Sequence, residues 1–298
     1  MTSKFVSRAI ASRFVASEQS EGVGARVRRS IGTMKQRNFA PFLMLDHFSV
    51  SPGAGFPDHP HRGQETITYM IDGLMDHEDF TGAKGCLESG DLQFMTAGRG
   101  IVHAEMPVPR NDGKANVGLQ LWVDLAADMK NCEPSYRDLK AKEIPIATPN
   151  DKVSVKVISG ESFGVKSVQD LAYTPVWMLD YTVQPGQEIE QAFPKNFNVF
   201  AYVMDGELEI GGKNIPRYSA VFFDTNGDGV KLNVPSNADK PSKFVLIGGQ
   251  IMHQPIVQHG PFVCTSREKI MEAFYDYQSH SNGFERAASW ESEIGKRM

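Results

Sequence analysis

The His-Pro-His motif at residues 59–61 and the His-Ala-Glu motif at residues 103–105 constrain this chain more than any other feature. Side chains in an extended strand alternate between its two faces, so each motif presents two metal-binding groups on one face. Three imidazoles and a carboxylate form a ligand set for one divalent metal ion. We therefore predict that two strands face each other across a β-barrel and share an ion. The predicted ligands are His59, His61, His103 and Glu105.

Glu65 competes with Glu105 for the place of the acidic ligand. Glu65 lies four residues beyond His61 and shares its strand face if that strand is unbroken, whereas Glu105 shares a face with His103. Alternation alone allows either carboxylate to bind the ion. If Glu105 binds the ion, Glu65 is a candidate for orienting a ligand imidazole through a hydrogen bond.

Most of the chain consists of short runs of β-branched and aromatic residues, such as residues 66–71 and 199–204, separated by turn residues. This sequence pattern is typical of antiparallel sandwiches and barrels rather than of alternating strands and helices. A chain of 298 residues is long enough for two domains. A charged segment flanked by prolines, at residues 131–151, suggests a linker. We predict an all-β fold of two tandem antiparallel β-barrel or jelly-roll domains, residues 1–135 and 136–298.

The C-terminal stretch has a different pattern. Residues 265–268 read Thr-Ser-Arg-Glu, which is the spacing of a helix capping box. Ile270, Met271, Phe274 and Tyr277 then follow at helical intervals. We predict a C-terminal helix, belonging to the second domain, that packs its apolar face on a sheet.

A weak internal repeat relates the two halves of the chain. Residues 69–73 align with residues 202–206 at an offset of 133, and both segments end in Asp-Gly. No histidine occurs from residue 104 through residue 252. The second domain therefore lacks the ligands for an equivalent ion. The residues at the positions equivalent to His59, His61 and Glu65 are Ala192, Pro194 and Asn198.

Charge and composition exclude several functional classes. The net charge is −5, and the 31 basic and 36 acidic residues are interspersed, so we expect no direct binding of nucleic acid or of an anionic membrane. No apolar run is long enough to cross a bilayer. Three cysteines without a Cys-x-x-Cys unit indicate a reducing, intracellular environment, and we expect a cytoplasmic and nuclear protein. The basic, serine-containing segment at residues 1–17 has transit-peptide character as well as that of a first strand, which keeps the mitochondrion as an alternative.

A Gly- and Pro-rich loop at residues 52–57 precedes the first histidine motif and predicts an open mouth beside the ion. Phe56 and Met75 are candidates for the apolar wall of this substrate pocket. Asp46 and Arg62 are candidates for its polar groups. A purely structural ion is normally enclosed by protein ligands, so an open mouth favours a site that receives a small molecule.

Three strings, at residues 56–63, 96–107 and 258–263, resemble the pirin family of the cupin superfamily. The likeness runs from about residue 17 to about residue 294. The chain departs from the general cupin pattern at Thr96, where proline is usual, and in the four residues that separate Gly98 from His103. The resemblance to pirins places His103 in the ligand set and makes Glu105, rather than Glu65, its acidic member.

The pirin resemblance implies one iron ion in the first domain, although the ligand set also suits other divalent transition metals. One implied function is an oxidoreductase of the quercetin 2,3-dioxygenase type, acting on a flavonol or a similar oxygenated aromatic with dioxygen, with Glu105 as the catalytic base. The alternative is a non-enzymatic cofactor in the nucleus that binds a transcription factor according to the redox state of its iron. The resemblance also implies a monomer.

Overall fold

The computed structural model describes residues 4–168 and 172–297, which form two compact β-units. The histidine unit comprises Glu18–Ala141 and Met252–Met298, and the companion unit comprises Met1–Ser17 and Lys142–Ile251. All eight histidines of the chain lie in the histidine unit. The predicted metal-binding histidines therefore all lie in one unit.

The strands are numbered in chain order across both units. They are β1 Ile10–Val15, β2 Glu18–Glu21, β3 Ala25–Ile31, β4 Phe42–Val50, β5 Phe56–His61, β6 Gln64–Asp72, β7 Met75–Asp79, β8 Lys84–Leu87, β9 Leu92–Thr96, β10 Ile101–Pro107, β11 Asn116–Asp124, β12 Ser135–Leu139, β13 Ile146–Asn150, β14 Val153–Ser159, β15 Glu161–Ser162, β16 Val165–Lys166, β17 Val176–Val183, β18 Glu188–Ala192, β19 Phe197–Asp205, β20 Glu207–Ile210, β21 Lys213–Pro216, β22 Ser219–Phe223, β23 Gly229–Asn233, β24 Ser242–Gln250, β25 Val257–His259 and β26 Phe262–Cys264. The helix α1 spans Arg267–Gln278, and short 3₁₀ helices span Ala141–Glu143, Glu285–Ala288 and Gly295–Arg297.

Two antiparallel sheets build the histidine unit. One has seven strands in the order β12-β9-β6-β11-β4-β3-β2, and the other has four in the order β5-β10-β7-β8. The strands β25 and β26 form a separate small hairpin in the same unit. The two histidine motifs lie on β5 and β10, which are hydrogen-bonded neighbours in one sheet and not strands that face each other across the barrel as predicted. His103 is directly opposite His59 in their register. The register shifts between His103 and Glu105, so that Glu105 lies opposite Phe56.

The companion unit repeats this architecture. Its seven-stranded sheet has the order β1-β22-β19-β24-β17-β14-β13, and its four-stranded sheet has the order β18-β23-β20-β21. The strands β6 and β19 are separated by 133 residues at both ends, which matches the offset of the sequence repeat. The prediction of an all-β fold with two barrel-like units and one C-terminal helix is therefore confirmed.

The units divide differently from the predicted domains at residues 1–135 and 136–298. The strand β1 pairs with β22 in the companion unit, whereas α1 belongs to the histidine unit. Buried Ile270 and Ala273 of α1 pack in one cluster with Ile101, Phe262 and Phe284. Helical periodicity reveals an apolar face but not the sheet that this face covers, and the predicted domain bounds stay a prediction.

The helix α1 begins where the capping pattern predicts. Ser266 is its N-cap, and the Ser266 hydroxyl accepts a hydrogen bond from the backbone N–H of Lys269. At the other end of the chain, Ile10–Val15 is a strand, and the mitochondrial alternative stays a prediction. Within the described ranges, no helix is both long and apolar enough to cross a membrane.

Arg62 fastens the C-terminal segment to the strand that carries the first motif. Its guanidinium donates to Asp276 Oδ2 at 2.7 Å, to the Asn282 carbonyl at 2.6 Å and to the Arg99 carbonyl at 2.6 Å. It also lies 4.7 Å from the centre of the Phe284 ring. Both side chains of the ion pair with Asp276 are about 10% exposed. Removal of one partner would leave a buried, unpaired charge, which is strongly destabilising.

We expect the Asp276→Ala variant to lose about 3 kcal/mol of unfolding free energy, because Arg62 would keep its charge without a counter-ion. Denaturant-induced unfolding followed by fluorescence measures this loss. The matched control is Glu272→Ala, which removes an exposed carboxylate from the same helix and should change stability by less than about 0.5 kcal/mol. Equal stabilities of the two variants would contradict the proposed anchoring.

Candidate metal centre

Three imidazoles converge between β5 and β10. The ligand atoms of His59, His61 and His103 all lie within 4.8 Å of one another. The Nε2 atoms of His59 and His103 are 2.9 Å apart, and the three ring centres are separated by 4.4 to 5.0 Å. The structure thus brings together the three histidines that the two motifs predict.

This arrangement fits a metal ion. Two nitrogen atoms that bind one ion at a right angle, each at about 2.1 Å, are separated by about 3 Å, close to the distance between the two Nε2 atoms. Burial lowers the pKa of His59, and it lowers the pKa values of His61 and His103 well below the usual range of imidazoles. The rings are therefore neutral, which is the form in which histidine binds a metal.

A backbone carbonyl determines which ring nitrogen of His59 carries the proton. The Nδ1 of His59 lies 2.7 Å from the Pro57 carbonyl oxygen, which can only accept, so Nδ1 carries the proton. In a neutral ring the other nitrogen, Nε2, then has a free lone pair. Nε2 is the atom that faces His103.

Gln64 holds the ring of His61. The side-chain amide of Gln64 lies 2.7 Å from His61 Nδ1, while Gln64 Oε1 is buried without a hydrogen-bond partner among the described residues. Rotating the amide by half a turn places Oε1 against Nδ1–H and frees Nε2 of His61 for the ion. Trp122 packs edge-on against the same ring at 5.0 Å. Sequence reasoning did not identify Gln64, although it directly precedes Glu65.

Glu105 lies in the wall of the site rather than in the group of converging imidazoles. Its Oε1 accepts from the Thr68 hydroxyl and its Oε2 accepts from the Gln120 amide, each at 3.0 Å. Burial raises the pKa of Glu105, although these two donors act in the opposite direction. Direct binding of Glu105 to the ion stays a prediction, and the structure places its carboxylate next to the histidines with both oxygens engaged.

Glu65 is also absent from the group of converging ligand atoms in the described part of the chain. It is 3% exposed, and its Oε1 accepts from the Thr96 hydroxyl at 3.0 Å. The predicted alternative, that Glu65 binds the ion or orients an imidazole, stays a prediction. Gln64 is the neighbour that contacts a ligand ring.

A cavity of about 890 Å³ opens beside His59, His61 and Glu105. Of the predicted pocket residues, Asp46 and Phe56 line this cavity. Met75 and Arg62 do not. Met75 is 1% exposed in the apolar cluster with Ala25, Val27, Phe48, Val50, Ala54, Met70 and Leu87.

Met75 and Arg62 lie outside this cavity for physical reasons. Met75 alternates inward on β7 and fills the core, where an apolar side chain gains the most from burial. Arg62 follows His61 on the opposite side of the strand end and bonds to the C-terminal segment. Position in the sequence did not indicate the direction of either side chain.

Asp46 contributes charge to the cavity as part of an ion pair. Arg29 donates from Nε to Asp46 Oδ1 at 2.8 Å and from Nη2 to Asp46 Oδ2 at 2.6 Å, and Nη2 also lies 2.7 Å from Glu21 Oε2. Burial raises the pKa of Asp46 despite the guanidinium beside it. Asp46 is therefore committed to Arg29 and is not a free group for a substrate.

Two further cavity residues, Gln120 and Trp122, come from β11. They are two residues apart on a strand whose other side chains at 119, 121 and 123 are buried, so they share one face. The period-two pattern of residues 118–123 was therefore a signal for this face. It did not reveal that the face lies opposite the histidines.

The variant His61→Ala should weaken binding of ferrous iron by more than about 100-fold, because one of three converging lone pairs is lost. Anaerobic titration with elemental analysis measures this. The variant His253→Ala, which removes an exposed histidine outside the group, should bind iron as the wild type does. Full iron loading of His61→Ala would argue against the site.

The variant Gln64→Leu should lower iron affinity by about 10- to 100-fold, because His61 would lose the group that orients its ring. Gln64→Glu keeps an acceptor for His61 Nδ1–H and should recover most of this loss. Competition with a chelator gives the affinities, and far-ultraviolet circular dichroism checks the fold. Similar affinities for Gln64→Leu and wild type would contradict the orienting role.

Comparison with known proteins gives consistent matches over both units. The Pirin family matches residues 24–123, and the pirin C-terminal cupin domain matches residues 178–283. A pirin-like protein from Solanum lycopersicum is 48% identical over 286 residues, which cover 96% of this chain and 97% of that protein. Pirin from Homo sapiens is 46% identical over 300 residues and 99% of each chain.

Solved structures share the fold. A quercetin 2,3-dioxygenase from Acinetobacter baumannii matches with a TM-score of 0.83 at 28% identity, covering 92% of this chain and 98% of that chain. A Geobacillus kaustophilus protein matches with a TM-score of 0.74 at 30% identity, covering 85% of this chain and 100% of that chain. The two β-units are cupin domains. The identity to proteins named pirin, over nearly the whole chain, shows that this protein belongs to the pirin family.

Proposed function

We propose that this protein is an iron-dependent dioxygenase that acts on a flavonol or a similar oxygenated aromatic. The observation that carries the proposal is the convergence of three neutral imidazoles at the side of an open cavity that also contains a buried carboxylate. The likeness to a quercetin 2,3-dioxygenase at 28% identity supports the same reaction class.

The donor set suits iron. Imidazole and carboxylate ligands without a thiolate are typical of non-haem iron sites, and three protein ligands leave positions open. When bound, the ion would supply Lewis acidity toward an enolate oxygen and redox chemistry with dioxygen. His59, His61 and His103 would hold it, and Glu105 is the predicted fourth ligand.

Glu105 is the candidate general base. A flavonol hydroxyl must lose its proton before the ring can be oxidised, and a base acts best when its pKa is near the working pH. The burial that raises the pKa of Glu105 makes its carboxylate a stronger proton acceptor. Thr68 and Gln120 hold the two oxygens in place, so the acceptor is positioned before the substrate arrives.

The cavity walls suit a flat aromatic ligand. Phe48, Phe56 and Trp122 line the cavity that contains His59 and Glu105. Aromatic rings offer large apolar contact area to a planar ligand and exclude water from it. A site that excludes water protects a reactive intermediate from side reactions.

The variant Glu105→Gln should consume quercetin about 100- to 10,000-fold more slowly than wild type in air, because the amide cannot accept the hydroxyl proton. Quercetin absorbance and an oxygen electrode follow the reaction, and elemental analysis gives iron per chain. The control Glu88→Gln, an exposed carboxylate outside the cavity, should react as wild type does.

Two outcomes would contradict this proposal. Glu105→Gln with full iron and unchanged turnover would exclude Glu105 as the base. Wild-type protein that carries iron but consumes no oxygen with any flavonol would exclude the dioxygenase itself.

A further inference from the structure

A second cavity adjoins the one beside the histidines. The outer cavity has a volume of about 730 Å³ and shares Arg37, Ile256 and Gln258 with the inner cavity of about 890 Å³. Its remaining wall includes Arg267, Ile270 and Met271. Because drug-sized ligands fit pockets of roughly 300–1,000 Å³, the inner cavity is already large enough for one aromatic ligand. The outer cavity is therefore additional space along the same opening.

The wall of the outer cavity contains apolar side chains and two arginines that form no ion pair with the described residues. Met271 is 67% exposed, and Ile270 and Ile256 lie beside it in the wall. Arg37 and Arg267 are exposed, and neither forms an ion pair or a hydrogen bond with any residue in the ranges 4–168 and 172–297. Elsewhere in this unit, guanidiniums such as that of Arg29 bind carboxylates.

The two cavities differ in the sign of their charged groups. The carboxylates of Glu21, Asp46, Asp58 and Glu105 line the inner cavity, where Arg29 is paired with two of them. No carboxylate of the described residues lines the outer cavity. The guanidiniums of Arg37 and Arg267, which form no ion pair or hydrogen bond within the described ranges, can attract an anionic group to the outer cavity.

We propose that the outer cavity is a subsite for the anionic tail of an extended aromatic ligand, whose oxygenated head lies in the inner cavity. This inference rests on the proposed function for the head of the ligand and adds the recognition of its tail. Sulfate, phosphate and carboxylate share the required chemistry, because each accepts bidentate hydrogen bonds from a guanidinium. Arg267 and Arg37 are the specificity-determining residues of this subsite.

The experiment compares two derivatives of quercetin that carry a charged and an uncharged substituent at the same position. One carries a sulfate on the catechol ring and the other a methyl ether at the same position, so both keep the groups that face the ion. Equilibrium binding to iron-loaded protein is measured anaerobically by tryptophan fluorescence. We expect the sulfate to bind about tenfold more tightly than the methyl ether, which is the gain from a charged hydrogen bond. Added salt should reduce this preference.

The variants assign the preference to the two arginines. In Arg267→Gln the preference for the sulfate should fall to about threefold or less, and in the double variant with Arg37→Gln it should disappear. The control Lys269→Gln removes one exposed charge from the same helix outside the cavity and should keep the full preference. Binding of the methyl ether should be the same in Arg267→Gln as in wild type.

Different experimental results would contradict the anionic subsite and the dioxygenase function. Equal binding of the sulfate and the methyl ether to wild type, or a preference that survives in the double variant, would overturn the anionic subsite. Binding of unmodified quercetin that is weak and insensitive to iron would instead count against the proposed function. A sulfate preference that depends on Arg267 under those conditions would still support the subsite.

Discussion

The pairing of β5 with β10 is the constraint on which the histidine unit depends. It sets His103 opposite His59 and brings three imidazoles within 4.8 Å of one another. Burial keeps these rings neutral, so they lie side by side without repulsion between positive charges, and a metal ion can bind their lone pairs. A shift of the register by one residue would turn one motif to the opposite face and separate the ligands.

Distant parts of the chain hold the end of β5 in place. Arg62, next to His61, binds Asp276 in α1. Lys130 donates to the Gly63 carbonyl at 2.8 Å and is paired with Asp124 in the interior. Buried ion pairs of this kind fix the positions of the side chains but add little net stability, because their attraction only offsets the cost of removing the charges from water. The C-terminal segment thus supports the strand end that carries His61, a candidate metal ligand.

The companion unit shares the fold of the histidine unit but has different side chains at the positions of the histidine motif. It has the same two sheets, but Ala192 and Pro194 stand where the histidine unit has two ligands. Phe193 and Phe197, which lie in the same part of the chain, pack around Trp177 in its apolar core. Among the described residues, the group of side chains that could hold a metal ion consists of His59, His61 and His103, none of which lies in the companion unit. The cupin fold therefore permits a metal centre without creating one, and the side chains of β5 and β10 make the difference.

The sequence by itself determined whatever depends on local periodicity. Strand alternation predicted that the two histidine motifs face one ion position, the repeat predicted equivalent strands β6 and β19, and the capping pattern predicted the start of α1. Only the tertiary structure decided what depends on contacts between distant residues. It assigned α1 to the histidine unit, turned Arg62 and Met75 away from the cavity, and placed Gln64 against His61. The physical reason is that the backbone repeat fixes which side of a strand a residue occupies, whereas the neighbour it meets there is set by the packing of the whole unit.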